Sequence, residues 1–293
     1  MRADKLYRYI NFFDLYNLLE HKLLRVPQAT SLDDKNEAFG FVLRELDGKY
    51  VAALGAPTGF DGERIIKTLS YISCWTAEPD KIAMWLLYSK DSEGFRIRTT
   101  RAKLNSVLMA YRNSYATLPD RIQNVSPKED VNIFDVAYED FRKIKKELEM
   151  RNEDIERTMD SLPDTESKAD RIRAFSKTAR ETMRTLRFTD NPWSYKDKAY
   201  EHEHEVRAVI EFEASDEEGD SLVSGRVDWT YFADRFPSCI HMAICDDFVE
   251  DICIDERCTQ FKKDVYRSFL SKYGYSLGES QVFSSLFDEP GVP

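Results

Sequence analysis

The spacing of apolar and polar residues divides this chain into short elements of both kinds. Leu6 to Ile10 reads as a strand, and Asn11 to Glu20 as a helix with Asn11 as N-cap and Leu15, Leu18 and Leu19 on one stripe. Leu23 to Val26 predicts a second short strand, closed by Pro27. Leu69 to Thr76 is β-branched and aromatic, as strands are. Pro79 and Asp80 open a short helix carrying Met84, Trp85 and Tyr88, and Gly94 to Thr100 alternates as a strand. Further strands are expected at 203–213, 221–228 and 239–245, with a closing helix from Cys258 to Tyr273 and a weakly patterned tail over 276–293.

Residues from about 101 to 190 differ in character. Tyr138 to Asp160 is densely charged and helical, with Glu147–Arg151 and Glu153–Arg157 at the favourable i,i+4 spacing. Ser161 to Asp164 breaks that run, and Thr165 to Arg187 reads as a second helix rich in Arg and Lys. Most of Arg171, Lys177, Arg180, Arg184 and Arg187 can share one broad face, while Ile172, Phe175, Ala179, Met183 and Leu186 fall between them. Together these predict an α-helical hairpin inserted between strands of one sheet. Its basic face suits solvent, or docking to nucleic acid or an acidic partner.

The densest chemistry lies in Tyr200 to Phe212, which reads as one strand with two unlike faces. His202, His204, Val206, Ala208, Ile210 and Phe212 form an increasingly apolar row suited to a core. Glu201, Glu203, Glu205 and Arg207 occupy the other side, with carboxylates about 7 Å apart. Such a row fits a solvated edge-strand face. It also fits a carboxylate pair acting on a substrate in a cleft.

Composition bounds the rest. With 293 residues, 42% hydrophobic and 13% aromatic, the chain is long enough for a substantial core. Its formal charge of -11 excludes a general nucleic-acid coat but leaves room for a local basic patch. Five cysteines without a C-x-x-C spacing fit reduced thiols in a cytoplasmic protein. Neither a signal peptide nor a membrane span is expected. His202 and His204 form an H-x-H pair, but His21 and His241 sit in weak contexts, so no metal site is expected. Neither the Rossmann glycine pattern, nor a P-loop, nor a G-x-S-x-G elbow occurs.

The order of the motifs resembles a known family. Leu6-Tyr7-Arg8-Tyr9 comes first, then the loop Leu32-Asp33-Asp34-Lys35-Asn36-Glu37, then Ser73-Cys74-Trp75. Met84-Trp85-x-x-Tyr88, Gly94-Phe95, Val136-x-Tyr138 and Glu203-x-Glu205-x-Arg207 follow. Over about residues 6 to 250 this looks like the bacterial family called domain of unknown function 2971. The loop departs from that family's usual Phe-Asn-Asp-Pro-Phe-Glu.

The family's layout is in turn similar to ADP-ribosyltransferases, including toxins that modify DNA. The resemblance implies an α+β fold with a split, mainly antiparallel sheet, as one domain over 1–275 with the helical insertion at about 101–190. It implies NAD as substrate, without a metal, and transfer of ADP-ribose to a macromolecule, nucleic acid or protein, as a phage-defence or toxin effector. An antitoxin or another defence-system protein is the implied partner, and no membrane is involved. By resemblance, Glu205 stabilises the sugar cation and Glu203 orients or deprotonates the acceptor. Arg8, Tyr9, Ser73, Trp85 and Tyr88 bind NAD, with Arg8 on the pyrophosphate or its ribose and Ser73 and Tyr88 beside the nicotinamide. Arg180, Arg184 and Arg207 are assigned to substrate binding, and Arg207 is also expected to pair with Glu37. The alternatives are NAD hydrolysis in the same cleft and an inactive sensor or antitoxin-like binding module.

Overall fold

The computed structural model describes residues 4–32, 62–130, 132–160, 191–215 and 233–283. In chain order the elements are β1 (Lys5–Ile10), α1 (Phe12–Glu20), β2 (Leu23–Pro27), α2 (Gly62–Leu69), β3 (Ser70–Thr76), α3 (Ile82–Tyr88), β4 (Phe95–Thr100) and α4 (Arg101–Ser114). Then come β5 (Val125–Pro127), β6 (Asn132–Asp135), β7 (Ala137–Glu139), α5 (Phe141–Asp160), β8 (Tyr195–Asp197), β9 (Glu205–Ala214), β10 (Cys239–Ala243), β11 (Asp251–Ile254), α6 (Gln260–Ser271) and β12 (Leu277–Glu279). The fold is α+β with a mostly antiparallel sheet.

The described chain falls into two compact units. The first comprises the described parts of Met1–Ser31, Lys67–Asp135 and His202–Pro293. The second comprises those of Leu32–Ile66 and Val136–Glu201. The inserted block expected from about 101 therefore starts later. Helix α4 and strands β5 and β6 belong to the first unit, where Leu104, Val107 and Leu108 are buried in its core.

In the first unit the sheet runs β12-β11-β4-β1-β3-β9-β5, with β6 also paired to β9. A separate antiparallel pair, β10-β2, contributes Leu24, Val26, Ile240 and Met242 to the same core. Leu6, Ile10, Tyr71, Trp75, Phe95, Ile97, Val206, Ala208, Ile210 and Phe212 supply the sheet's side of that core. Each fully buried aliphatic or aromatic side chain there contributes about 1.5–3 kcal/mol. Helix α1 starts where the sequence indicates: Asn11 Oδ1 accepts from the Asp14 amide at 2.9 Å, and Leu15, Leu18 and Leu19 are buried. Thr100 caps α4 in the same way, through the Lys103 amide at 3.2 Å.

The second unit holds the parallel pair β7-β8 and helix α5, whose Glu153 and Arg157 meet at 3.4 Å. Trp193 is buried, and the Lys196 ammonium lies 4.6 Å from the Tyr200 ring centre. Among the described residues no helix is long and apolar enough to cross a membrane. The second basic helix with Arg171, Arg180 and Arg184, the loop with Asp33, Asp34 and Glu37, and the strand expected at 221–228 lie outside the described residues.

Candidate functional site

Directly opposed residues of an antiparallel ladder project to one face. Asp251 opposes Arg98, Arg98 opposes Tyr7, Tyr7 opposes Thr76 and Thr76 opposes Glu205. A polar row thus crosses five strands on a single face. Tyr9, Cys74, Arg96, Arg207 and Cys253 share that face through the same registers and strand alternation. Leu6, Arg8, Ile10, Ser73, Trp75, Val206 and Ala208 point to the other, core-lined face.

This parity divides the NAD-binding set expected from sequence. Arg8 and Tyr9 are neighbours on one strand and cannot share a face. Arg8 lies on the core side, where its Nη1 donates to Ser73 Oγ at 3.0 Å and to the Arg25 carbonyl at 3.2 Å. Its guanidinium also sits 5.8 Å from the Trp75 ring centre. Burial lowers the Arg8 pKa from its ordinary value, with Asp14 opposing that shift. Ser73 is fully buried and also accepts from Trp75 Nε1 at 2.9 Å. Arg8 and Ser73 therefore form a part-buried polar knot on the other face of the sheet, and the structure does not bring them together with the two glutamates.

On the front face, helix α3 covers the sheet. Trp85 is fully buried, edge-on to Tyr9 at 4.8 Å between ring centres. It packs against Tyr9 and lines no open surface. Tyr9 Oη accepts from the Asp80 amide at 3.2 Å, and burial raises the Tyr9 pKa, so the phenol stays protonated. Tyr88, one turn beyond Trp85, is 45% exposed and stacks toward Tyr9 with ring centres 6.4 Å apart. Arg96 lies over the Tyr7 ring at 5.3 Å, pairs with Asp80, and reaches Asp251 at 3.6 Å. Beside it, burial pushes the Cys253 thiol up to about 12.

The far end of α3 is anchored below. Asp255 is fully buried and takes Arg257 Nη2 at 2.6 Å and Nε at 3.0 Å. Arg257 also donates to the Trp85 carbonyl at 3.4 Å. The Gly94 amide donates to Ser89 Oγ at 2.9 Å, and a Cβ at Gly94 would meet Ser89 Cα at 2.7 Å. Glycine is therefore required there by close approach.

The carboxylates meet this face at the start of β9. The expected continuous strand over Tyr200 to Phe212 is interrupted. Lys198–Glu203 is a 3-10 segment, His204 has φ 44, and the strand begins at Glu205. From Glu205 onward the expected alternation holds. His202 and His204 do not extend the apolar row. His202 Nε2 is buried without a hydrogen-bond partner, and His204 Nδ1 lies 3.5 Å from Glu78 Oε1. Among the described residues no group of three or more His, Cys, Asp or Glu is placed to hold a metal ion.

Glu203 and Glu205 are each 4% exposed. Tyr88 Oη donates to Glu203 Oε1 at 3.0 Å. Arg207, with no exposed surface, donates Nε to Glu205 Oε1 at 2.8 Å and Nη2 to Oε2 at 3.1 Å. This bidentate pair is short and directional. Glu37, the partner expected for Arg207, lies outside the described residues. The sequence reading missed Tyr7 and Thr76, which share the polar row with Glu205. Strict alternation from Tyr9 and from Cys74 was the signal that would have found them.

Residues 84–208 match the model of the family described as Protein of unknown function (DUF2971), which places this segment of the chain in that family. The matched segment opens on Met84-Trp85 and closes just after Arg207, so it carries both motifs that meet at Tyr88 and Glu203. No curated protein and no solved structure matches the chain.

Proposed function

We propose that the protein cleaves the nicotinamide–ribose bond of NAD and transfers ADP-ribose to a macromolecular acceptor. The observation that carries the reading is the pair Glu203 and Glu205, nearly buried and held by different partners on an aromatic-rich sheet face. Breaking the C–N bond sends its electron pair out with neutral nicotinamide and leaves positive charge on the ribose. A fixed carboxylate in a water-poor site stabilises that charge, and one such contact is worth about 3–4 kcal/mol. Glu205, locked by Arg207, has this character. Glu203 takes the proton from the acceptor as the new bond to ribose forms. Paired carboxylates meet the same demand in glycoside hydrolysis.

The motif resemblance to ADP-ribosyltransferases supports this chemistry and the proposed setting, a cytoplasmic defence or toxin effector. The basic run with Arg180 and Arg184 favours nucleic acid as acceptor, and the charge of -11 favours protein. With water as the acceptor, the same pair of carboxylates hydrolyses NAD.

One observation favours a second reading, a binding module without catalysis. Both oxygens of Glu205 are already engaged by Arg207, as in a purely structural ion pair. Incubating purified protein with NAD, with and without cell extract, separates the two. Nicotinamide release that depends on Glu203 supports catalysis, and binding without turnover supports the module.

A further inference from the structure

We propose that His204 is a positioning residue, whose left-handed backbone turns the chain between Glu203 and Glu205 so that each carboxylate reaches its own partner. The proposal rests on the reading of these glutamates as the reacting pair. In an uninterrupted strand residues 203 and 205 would project side by side, about 7 Å apart. Instead a 3-10 segment ends at Glu203 and the strand starts at Glu205, with His204 at φ 44 between them. Among the described non-glycine residues with positive φ, His204 is the one flanked on both sides by buried carboxylates. The turn leaves Glu205 in register with Thr76 and beside Arg207, and it delivers Glu203 to Tyr88.

A side chain with a Cβ is strained in this conformation, so neighbouring contacts have to hold it there. The Ala77 amide donates to the His204 carbonyl at 3.0 Å. His204 Nδ1 lies 3.5 Å from Glu78 Oε1, which in turn pairs with Lys81 through Oε2 at 2.7 Å. Thr76 Oγ1 fixes the same segment, accepting from the Glu78 amide at 3.2 Å and donating to its carbonyl at 3.1 Å. The clamp therefore comes from the end of β3, the strand paired with β9. Strain held by surrounding structure is a feature of functional sites.

The test uses full-length protein with His204→Gly, His204→Asn and His204→Val. Glycine and asparagine accept the left-handed region, and a β-branched residue does not. Glycine and asparagine variants should turn over NAD at a rate comparable with wild type. The valine variant should lose about 10²-fold in kcat, the scale of a small misplacement of a reacting group, with little change in KM. If glycine and asparagine fall as far as valine, or valine matches wild type, the proposal is overturned. A second readout does not depend on NAD. Non-additivity of Tyr88→Phe and Glu203→Gln in thermal melting measures their contact. That coupling should persist with glycine at 204 and vanish with valine, and equal coupling in both backgrounds overturns the hinge. Wild-type protein inert toward NAD would remove the functional reading, while this coupling would still decide the role of His204. Should the valine variant fail to fold, His204→Ala takes its place in both measurements.

Discussion

The Tyr88 hydroxyl donates to Glu203 Oε1 at 3.0 Å, joining residues 115 positions apart. Tyr88 ends α3, which packs against Tyr9 through Trp85, one turn earlier. The contact therefore ties the position of one carboxylate to the packing of that helix on the sheet. Tyr88→Phe removes the donor and keeps the ring. Net loss of one hydrogen bond to a charged group costs about 1.5–3 kcal/mol. Because Tyr88 is half-exposed, the stability loss should fall at or below the lower end of that range, while NAD turnover drops roughly tenfold or more. The two effects are read by chemical denaturation and by nicotinamide release. Unchanged turnover in Tyr88→Phe would remove the contact from the mechanism.

The Glu205–Arg207 pair sets a different expectation. On the sequence alone Glu205 stands on an exposed strand face, where Glu205→Gln costs little. Both partners are buried, so breaking the pair should instead destabilise the fold, by up to about 3–5 kcal/mol for a fully uncompensated charge. The double variant Glu205→Gln with Arg207→Gln removes both charges and should regain much of that stability without regaining NAD turnover. Recovery of turnover along with stability would show that the pair matters for folding alone.

Asp255 provides a pH signature. Burial works to raise its pKa, but hydrogen bonds from Arg257 and Ser89 outweigh that and hold it below the ordinary carboxylate value. A carboxyl with a depressed folded pKa stabilises the protein above its unfolded value, near 3.9, and the contribution disappears as pH falls through the lower folded value. Wild type should therefore lose melting temperature more steeply than Asp255→Asn as pH drops from about 5 toward 2. At neutral pH the variant should be the less stable of the two. Parallel pH profiles would contradict the shift.

Much of this organisation is legible in the residues. Asn11 and the Leu15, Leu18, Leu19 stripe specify α1, and the alternation from Val206 to Phe212 specifies the buried side of β9. That the Trp85–Tyr88 helix meets the Glu203–Arg207 segment is carried by the Tyr88–Glu203 hydrogen bond between residues far apart in the chain. Other features depend on tertiary context. The turn at His204 is held by Ala77 and Glu78, far away in sequence, so local pattern reads through it as strand. Strand β11 has four residues, too few for a period, and is defined by pairing with β4 and β12. Helix α4 carries enough polar residues to look like part of a solvated insertion, yet it buries Leu104, Val107, Leu108 and Tyr111. The separation of Arg8 from Glu205 follows from alternation and register together, and register is a property of the folded sheet.

The central claim is that Glu203 and Glu205 act on NAD. The most direct measurement is nicotinamide release from NAD by purified full-length protein beside its Glu203→Gln variant, each confirmed folded by its melting transition. The account predicts release by the wild type, stimulated by cell extract carrying the acceptor, and a loss on the order of 10²-fold or more in Glu203→Gln. Equal release by folded wild type and folded Glu203→Gln, or none from the wild type with or without extract, would contradict it.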